Sequence, residues 1–372
     1  MKILLCFGTR PEAIKMAQLY HELKKTTNEV KVCVTAQHRE MLDQVLDFFE
    51  IIPDYDLNIM QPNQTLNGLS ANILIKIDEV LQDVKPDLVL VHGDTTTSSM
   101  VALAAFHLGI KVGHVEAGLR TYNKQAPFPE EINRQLTSRI ADIHFTPTTQ
   151  ATQNLLNEGI CKENIVEIGN TVIDALLWTV RKIESEHYIH QEIEVLKKTI
   201  SISKKMVLVT GHRRENFGEG FKNLCEALLE ISKRDDVAIV YPVHLNPNVK
   251  DVVNELLSNK SNIYLINPVS YPAFVWLMQQ SFLIISDSGG IQEEAPTLGK
   301  PVLVTRNVTE RPEGTAAGFS ILAGTDKDKI IKEAINLIVN FKGFNEIANP
   351  YGDGKASERI VRYLGEIPRA SE

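Results

Sequence analysis

The chain begins Met1-Lys2-Ile3-Leu4-Leu5-Cys6-Phe7-Gly8-Thr9-Arg10-Pro11-Glu12. Residues 2–7 read as a short buried strand that stops at a glycine turn. A helix start follows: Thr9 and Glu12 have capping-box spacing, and Pro11 suits a first helical turn. A buried strand running through glycine into a capped helix is the opening half of a βαβ unit. The alternation continues outward. Strands are predicted over 30–35, 87–92, 111–115, 142–146 and 164–168, with helical patterns over 11–25, 38–50, 69–84 and 96–108. After a strand-free stretch from about 170 to 203, strands resume over 206–210, 237–241, 262–266, 282–286 and 301–305. The implied fold class is α/β: two doubly wound, Rossmann-like domains facing a cleft. The expected boundaries are 1–169, 170–354 and 355–372, the last an amphipathic helix that can return to the first domain.

Composition narrows the function. A length of 372 residues fits two domains, and 43% hydrophobic residues can fill two cores. The formal charge of −8 argues against nucleic-acid binding. It leaves an anionic ligand open, because local Arg, Lys and helix N-termini outweigh a global excess of acid. No apolar run reaches the roughly 18–20 residues of a membrane helix, and the N-terminal stretch lacks a signal-peptide pattern. A cytoplasmic protein is expected. Cys6, Cys33, Cys161 and Cys225 form no Cys-x-x-Cys pair and read as free thiols.

Ionisable residues cluster where predicted strands end, which is where ligands bind in an open α/β sheet. Asp94 follows Val91-His92-Gly93; Glu116 follows His114-Val115; Glu130 closes Pro127-Phe128-Pro129; His212 follows Thr210-Gly211. Neighbouring or buried carboxylates raise one another's pKa, so one can take a proton while another holds one. A histidine beside them can donate to a phosphate oxygen near neutral pH. These four form the candidate reactive set. Arg10 and Lys15, about a turn apart, have the charge to neutralise a pyrophosphate. Ser288-Gly289-Gly290 is a strand–glycine turn–helix start that lets backbone amides approach an anion. Glu294, one turn further, can accept from ribose hydroxyls, and Arg311 is a further phosphate contact or a surface ion pair. Phe274 can stack on a base or simply begin a helix. His92 and His114 end apolar strands and read as core residues, as do Trp178 and Trp276 within helical patterns.

No cofactor is expected. Gly-x-Gly-x-x-Gly would need glycines two and five residues after Gly8, where Arg10 and Ala13 stand. No His-x-x-x-His or Asp-x-Asp cluster points to a metal.

Several motifs together resemble the non-hydrolysing UDP-N-acetylglucosamine 2-epimerases, nearly end to end. They are Gly8-Thr9-Arg10-Pro11-Glu12, His92-Gly93-Asp94-Thr95, Val115-Glu116-Ala117-Gly118-Leu119-Arg120, Gly169-Asn170-Thr171, His212-Arg213-Arg214-Glu215-Asn216, Asp287-Ser288-Gly289-Gly290-Ile291-Gln292-Glu293-Glu294-Ala295-Pro296 and Thr309-Glu310-Arg311-Pro312-Glu313. The resemblance implies a glycosyltransferase-B-like fold and reversible C2 epimerisation of UDP-N-acetylglucosamine to UDP-N-acetylmannosamine through a glycal, feeding surface polysaccharide synthesis. It implies Asp94, Glu116, Glu130 and His212 as catalytic residues. Arg10, Lys15, Ser288, Gly289, Gly290 and Arg311 would hold phosphate, Glu294 ribose, and Phe274 would lie near uracil. It also implies a nucleotide-sugar substrate, a homodimer, and no nucleic-acid or membrane partner. Gln37, His38, Arg213 and His244 match the residues with which bacterial members bind an activating second substrate molecule, while Glu40 and Asn63 depart from that pattern. A glycosyltransferase, an epimerase of a modified sugar and a nucleotide-sugar sensor are the competing readings.

Overall fold

The computed structural model describes the chain except residues 37–38, 62–63, 201–202, 212–217, 310, 345–347 and 367–372, and the side chains of 39, 40 and 248. Gln37, His38, Asn63, His212 and Arg213 therefore lie outside the described residues, as does the Glu40 side chain. The chain divides into two compact units, Met1–Leu177 with Tyr351–Glu372, and Trp178–Pro350.

In the first unit strands and helices alternate: β1 (Lys2–Phe7), α1 (Arg10–Lys24), β2 (Glu29–Val34), α2 (Arg39–Phe48), β3 (Tyr55–Asp56), α3 (Leu66–Val84), β4 (Leu88–His92), α4 (Thr96–His107), β5 (Lys111–Val115), α5 (Glu130–Ile140), β6 (Ile143–Thr146), α6 (Thr149–Asn157), β7 (Ile165–Glu167) and α7 (Thr171–Glu184). Its sheet is wholly parallel in the order β3-β2-β1-β4-β5-β6-β7. Both faces are covered. Leu4, Cys6, Val89 and Val91 pack with Ile73, Ile77 and Leu81 of α3 and Val101 and Ala105 of α4. Ile3, Leu5 and Phe7, pointing the other way, are equally buried. A parallel strand buried on both sides reads as an unbroken apolar run, and for that reason Ile3–Phe7 shows no alternation.

The second unit repeats the plan: α8 (Gln191–Thr199), β8 (Lys205–Thr210), α9 (Glu219–Ile231), β9 (Val237–Pro242), α10 (Pro247–Leu257), β10 (Ile263–Ile266), α11 (Tyr271–Gln280), β11 (Ser281–Ser286), α12 (Gly289–Glu294), β12 (Val302–Val304), α13 (Pro312–Ala316), β13 (Ser320–Leu322) and α14 (Lys327–Asn340). Its parallel sheet runs β10-β9-β8-β11-β12-β13. Val207, Val209, Ile239, Tyr241, Leu283 and Ile285 form its core with α9, α10 and α14. The closing helix α15 (Ala356–Glu366) packs on α1 of the first unit.

The division falls later than the sequence suggests. The junction was expected at Gly169, but the first two turns of α7 stay with the first unit, because Val172 and Ile173 bury against Tyr351. Asp174 reinforces this by accepting from the backbone amides of Ala356 and Ser357. Cys6, Cys33 and Cys225 are buried free thiols; Cys161 is free but exposed. Among the described residues, no helix is long and apolar enough to cross a membrane.

Candidate active site

In each sheet the strand order reverses beside the first strand, between β1 and β4 in one and β8 and β11 in the other. The loops at those carboxyl ends carry the candidate residues.

In the first unit, the turn after β1 is built around Glu12. Thr9 N-caps α1 and forms a capping box with Glu12. Glu12 Oε2 also accepts from Gly8 N at 3.0 Å, and Oε1 accepts from Thr95 Oγ1 at 2.7 Å. Burial raises the Glu12 carboxyl to about 7 against these donors. Glu12 thereby ties the turn that carries Arg10 to the turn that carries Asp94. Arg10 itself is half-buried at the start of α1.

Lys15 lies one turn along α1, and its ammonium pairs with Glu116. The residue expected beside a phosphate is therefore held here by a carboxylate. Glu116 sits just past β5 with φ +63°, a left-handed backbone uncommon for a side chain of this size. Such conformations persist where the surroundings enforce them, and they concentrate at functional sites. Glu116 Oε1 also accepts from Asn170 Nδ2 at 3.1 Å, while Oε2 faces His92 Nε2 at 3.9 Å.

Asp94 follows β4 and is gripped by Arg134 of α5. Arg134 also reaches Glu131 at 3.4 Å, and Asn133 Nδ2 donates to the Asp94 carbonyl at 3.0 Å. Packing raises the Asp94 carboxyl; Arg134 opposes this and Glu116 adds to it. The side chain still keeps 28% of its surface exposed, so it remains within reach of a ligand. Glu130 begins α5, half-buried, four residues before Arg134 and on the same helix face. Asp94 and Glu116 thus share one charge cluster with Lys15 and Arg134, and Glu130 stands one turn from it.

Sequence reasoning passed over Arg134 and Glu131, quoted Asn170 only within a motif and without a role, and treated His92 as an ordinary core residue. His92 is indeed buried, and burial lowers its pKa to about 4. Among the described residues, however, its Nε2 has no hydrogen-bond partner, and it points at Glu116. His114 fits the core reading better, since Nε2 donates to the Gly93 carbonyl at 2.7 Å.

In the second unit, Ser288 caps α12 and its backbone amide donates to Ser286 Oγ at 3.0 Å. The Arg311 guanidinium lies over Gly289: a Cβ there would stand 3.0 Å from its Cζ. Arg311 Nε donates to Glu293 Oε1 at 2.9 Å, and Glu293 is only 2% exposed, so this is no surface ion pair. Glu294 is buried and accepts from Tyr271 Oη at 3.1 Å. Phe274, half-buried, is three residues along α11 from Tyr271 and shares its face. Ser288, Gly289, Gly290, Glu294 and Arg311 are thus one constellation, with Phe274 beside it. His244 is exposed, and its Nδ1 accepts from the Asn246 amide at 3.1 Å.

The first unit thus carries acids at its strand ends, and the second a glycine turn under a guanidinium, both on parallel α/β sheets. Residues 21–365 match the family described as UDP-N-acetylglucosamine 2-epimerase. The UDP-N-acetylglucosamine 2-epimerase of Escherichia coli K12 is 54% identical over 369 residues, covering 98% of each chain. The crystal structure of UDP-GlcNAc 2-epimerase from Neisseria meningitidis bound to UDP-GlcNAc superposes with a TM-score of 0.92 at 52% identity, covering 99% of this chain and 100% of that one. The Methanocaldococcus jannaschii enzyme in complex with UDP-GlcNAc and UDP gives 0.83 at 38%, covering 98% and 99%. The chain belongs to the UDP-N-acetylglucosamine 2-epimerase family, and its fold is of the expected α/β, glycosyltransferase-B-like class.

Proposed function

We propose that this protein interconverts UDP-N-acetylglucosamine and UDP-N-acetylmannosamine by eliminating and re-adding UDP. One observation carries the reading: Asp94 and Glu116, at adjacent strand ends, each lie against a cation in a single, partly buried cluster. Paired acids of this kind suit the removal of a proton from one face of a carbon and its return to the other. The relatives solved with UDP-GlcNAc supply the matching substrate.

The step balances without an outside oxidant. The C1–O bond breaks and its electron pair leaves with UDP. As positive charge develops at C1, the C2 hydrogen becomes acidic and a carboxylate takes it, leaving a glycal. Delivery of a proton to the opposite face of C2, with return of the UDP oxygen to C1, gives the epimer. Asp94, Glu116, Glu130 and His212 form the acid–base group. Arg10, Lys15, Arg311 and the Ser288-Gly289-Gly290 turn stabilise the diphosphate as it departs. Glu294 takes the ribose and Phe274 the uracil. The three carboxylates of the acid–base group thus belong to the first unit, and the Ser288-Gly289-Gly290 turn, Glu294, Phe274 and Arg311 to the second.

The product serves surface polysaccharide synthesis in the cytoplasm, and the protein acts as a homodimer. The dimer finds support in exposed apolar side chains on α4 and α5, which pack together: Phe106 is 61% and Leu136 49% exposed. Gln37, His38, Arg213 and His244 are assigned to an activating second substrate molecule.

Incubation with UDP-N-acetylglucosamine in deuterium oxide, followed by proton NMR, tests the mechanism. Deuterium should appear at C2 of both epimers. Epimerisation that retains the original hydrogen would exclude the elimination route.

A further inference from the structure

Asn170 stands where three segments meet. It follows β7 and N-caps α7, with Oδ1 accepting from Val172 N at 3.0 Å. Its backbone amide donates to the Tyr351 carbonyl at 2.7 Å, where the chain re-enters the first unit. Its Nδ2 donates to Glu116 Oε1 at 3.1 Å. The residue is 2% exposed. The flanking glycines are pressed together: a Cβ on Gly169 would lie 3.3 Å from Gly352 Cα, and one on Gly352 would lie 3.3 Å from Asn170 N. The segments leading out of the first unit and back into it therefore touch at this residue.

The arrangement calls for an amide. The Val172 N–H can only donate, which fixes the oxygen side and turns the NH₂ toward the carboxylate. An Asp would keep the cap but have no proton to give. Lys15 and Asn170 both donate to the same oxygen of Glu116, which fixes the plane of the carboxylate and turns Oε2 toward His92.

We propose that Asn170 is a positioning residue for the proton transfer, holding the Glu116 carboxylate in its reactive orientation from the cap of the helix that carries the chain out of the first unit. The inference rests on the acid–base role given to Glu116 above. Among the described residues, the charged and titratable groups facing Glu116 include Lys15 from α1, His92 from β4, and Asp94 with its Arg134 partner. Lys15 and Asn170 favour the ionised carboxylate and Asp94 opposes it. Loss of the amide donor therefore raises the pKa of Glu116.

Asn170→Ser and Asn170→Asp separate the two roles. Both residues cap helices about as well as Asn, yet neither offers an N–H to Glu116, and Ser adds no charge. The Glu116 titration is followed by carboxyl-carbon NMR on glutamate-labelled protein, with Glu116→Gln giving the assignment. Turnover of UDP-N-acetylglucosamine is measured on the same samples. Both variants should still fold cooperatively, melting below the wild type at neutral pH and Asn170→Asp lower than Asn170→Ser, and the Glu116 pKa should rise by about one unit or more. The kcat should fall roughly tenfold with KM little changed, and the acidic limb of the kcat profile should move to higher pH. An unshifted titration in Asn170→Ser would overturn the proposal, and so would a shift confined to Asn170→Asp, which would be charge repulsion alone. Wild-type protein that leaves UDP-N-acetylglucosamine unchanged would instead sink the function, and with it the proton transfer that Asn170 serves.

Discussion

The two units share a winding and differ in what stands at their strand ends. In the first, charges alternate in sign: Lys15 against Glu116, Arg134 against Asp94 and Glu131. In the second, the end of β11 presents backbone at Ser288, Gly289 and Gly290, with one guanidinium laid over the turn. Carboxylates held against cations can take up and release a proton. A glycine turn beneath a guanidinium can hold an anion, and the acids beside it are engaged by Arg311 and Tyr271. On the proposed function the same sheet geometry supports two tasks, and the few side chains after the strands decide which.

The largest effect should come from breaking that division of labour. Glu116→Gln keeps the size of the side chain and removes its basicity. Turnover should fall by about a hundredfold or more, while UDP affinity, measured by calorimetry, stays within about twofold of the wild type. Arg311→Met should do the reverse in kind, weakening UDP by roughly tenfold or more through loss of a charge-assisted contact. If Glu116→Gln lost UDP affinity and Arg311→Met did not, the roles given to the two units would have to be exchanged.

Much of this was legible in the sequence, and the gaps have physical causes. β1 and β4 are apolar runs closed by turn residues, and they fall where the pattern puts them. β3 and β13 were missed because they are two and three residues long, Tyr55–Asp56 and Ser320–Leu322, and exist only by pairing with a neighbour. Asp94 and Glu116 stand out because acids at the ends of buried strands are costly without a task. Arg134 does not stand out: four residues after Glu130, it reads as half of a solvated helix pair. Only the fold shows that it is buried, at 8% exposure, and aimed at Asp94. The left-handed backbone of Glu116 leaves no trace in composition, and the tie between Asn170 and Glu116 spans 54 residues.

The next effect concerns acid stability of the first unit. His92, His114 and His144 lie on adjoining strands, and burial lowers their pKa values to about 4, 3 and 4 from an ordinary 6.5. Each is neutral when folded and gains a proton on unfolding below pH 6.5. Their stabilisation is complete above that value and is lost as pH falls toward the folded values. Glu12 acts in the opposite sense: raised to about 7 from 4.5, it favours the folded state at the acid end of that window and loses this as pH climbs through 7. Asp94 and Asp174, also raised by burial, act in the same sense as Glu12, so the part of the first unit's stability that the histidines supply should be lost between about pH 6.5 and pH 4. Each histidine contributes a slope of up to about 1.4 kcal/mol per pH unit. His114→Gln should reduce that slope by up to one proton in denaturant titrations at several pH values. An unchanged slope would mean that His114 is already charged in the folded chain.

The smallest effect sharpens the comparison within the second unit. Gly289 and Gly290 are adjacent in α12, yet their surroundings differ. A Cβ on Gly289 would lie 3.0 Å from Arg311 Cζ, whereas one on Gly290 meets nothing nearer than 3.9 Å. The obstacle at Gly289 is the far end of a flexible side chain, so alanine there should change stability by less than about 1 kcal/mol, helped by its better helix propensity. What moves is the guanidinium, away from the turn and from Glu293. Gly289→Ala should therefore weaken UDP several-fold by calorimetry. Gly290→Ala, with room for its methyl, should leave the Arg311 side chain where it is and cost less affinity. Equal losses at both positions would show that the turn needs backbone freedom as such, and that the placement of Arg311 over Gly289 contributes nothing to the grip.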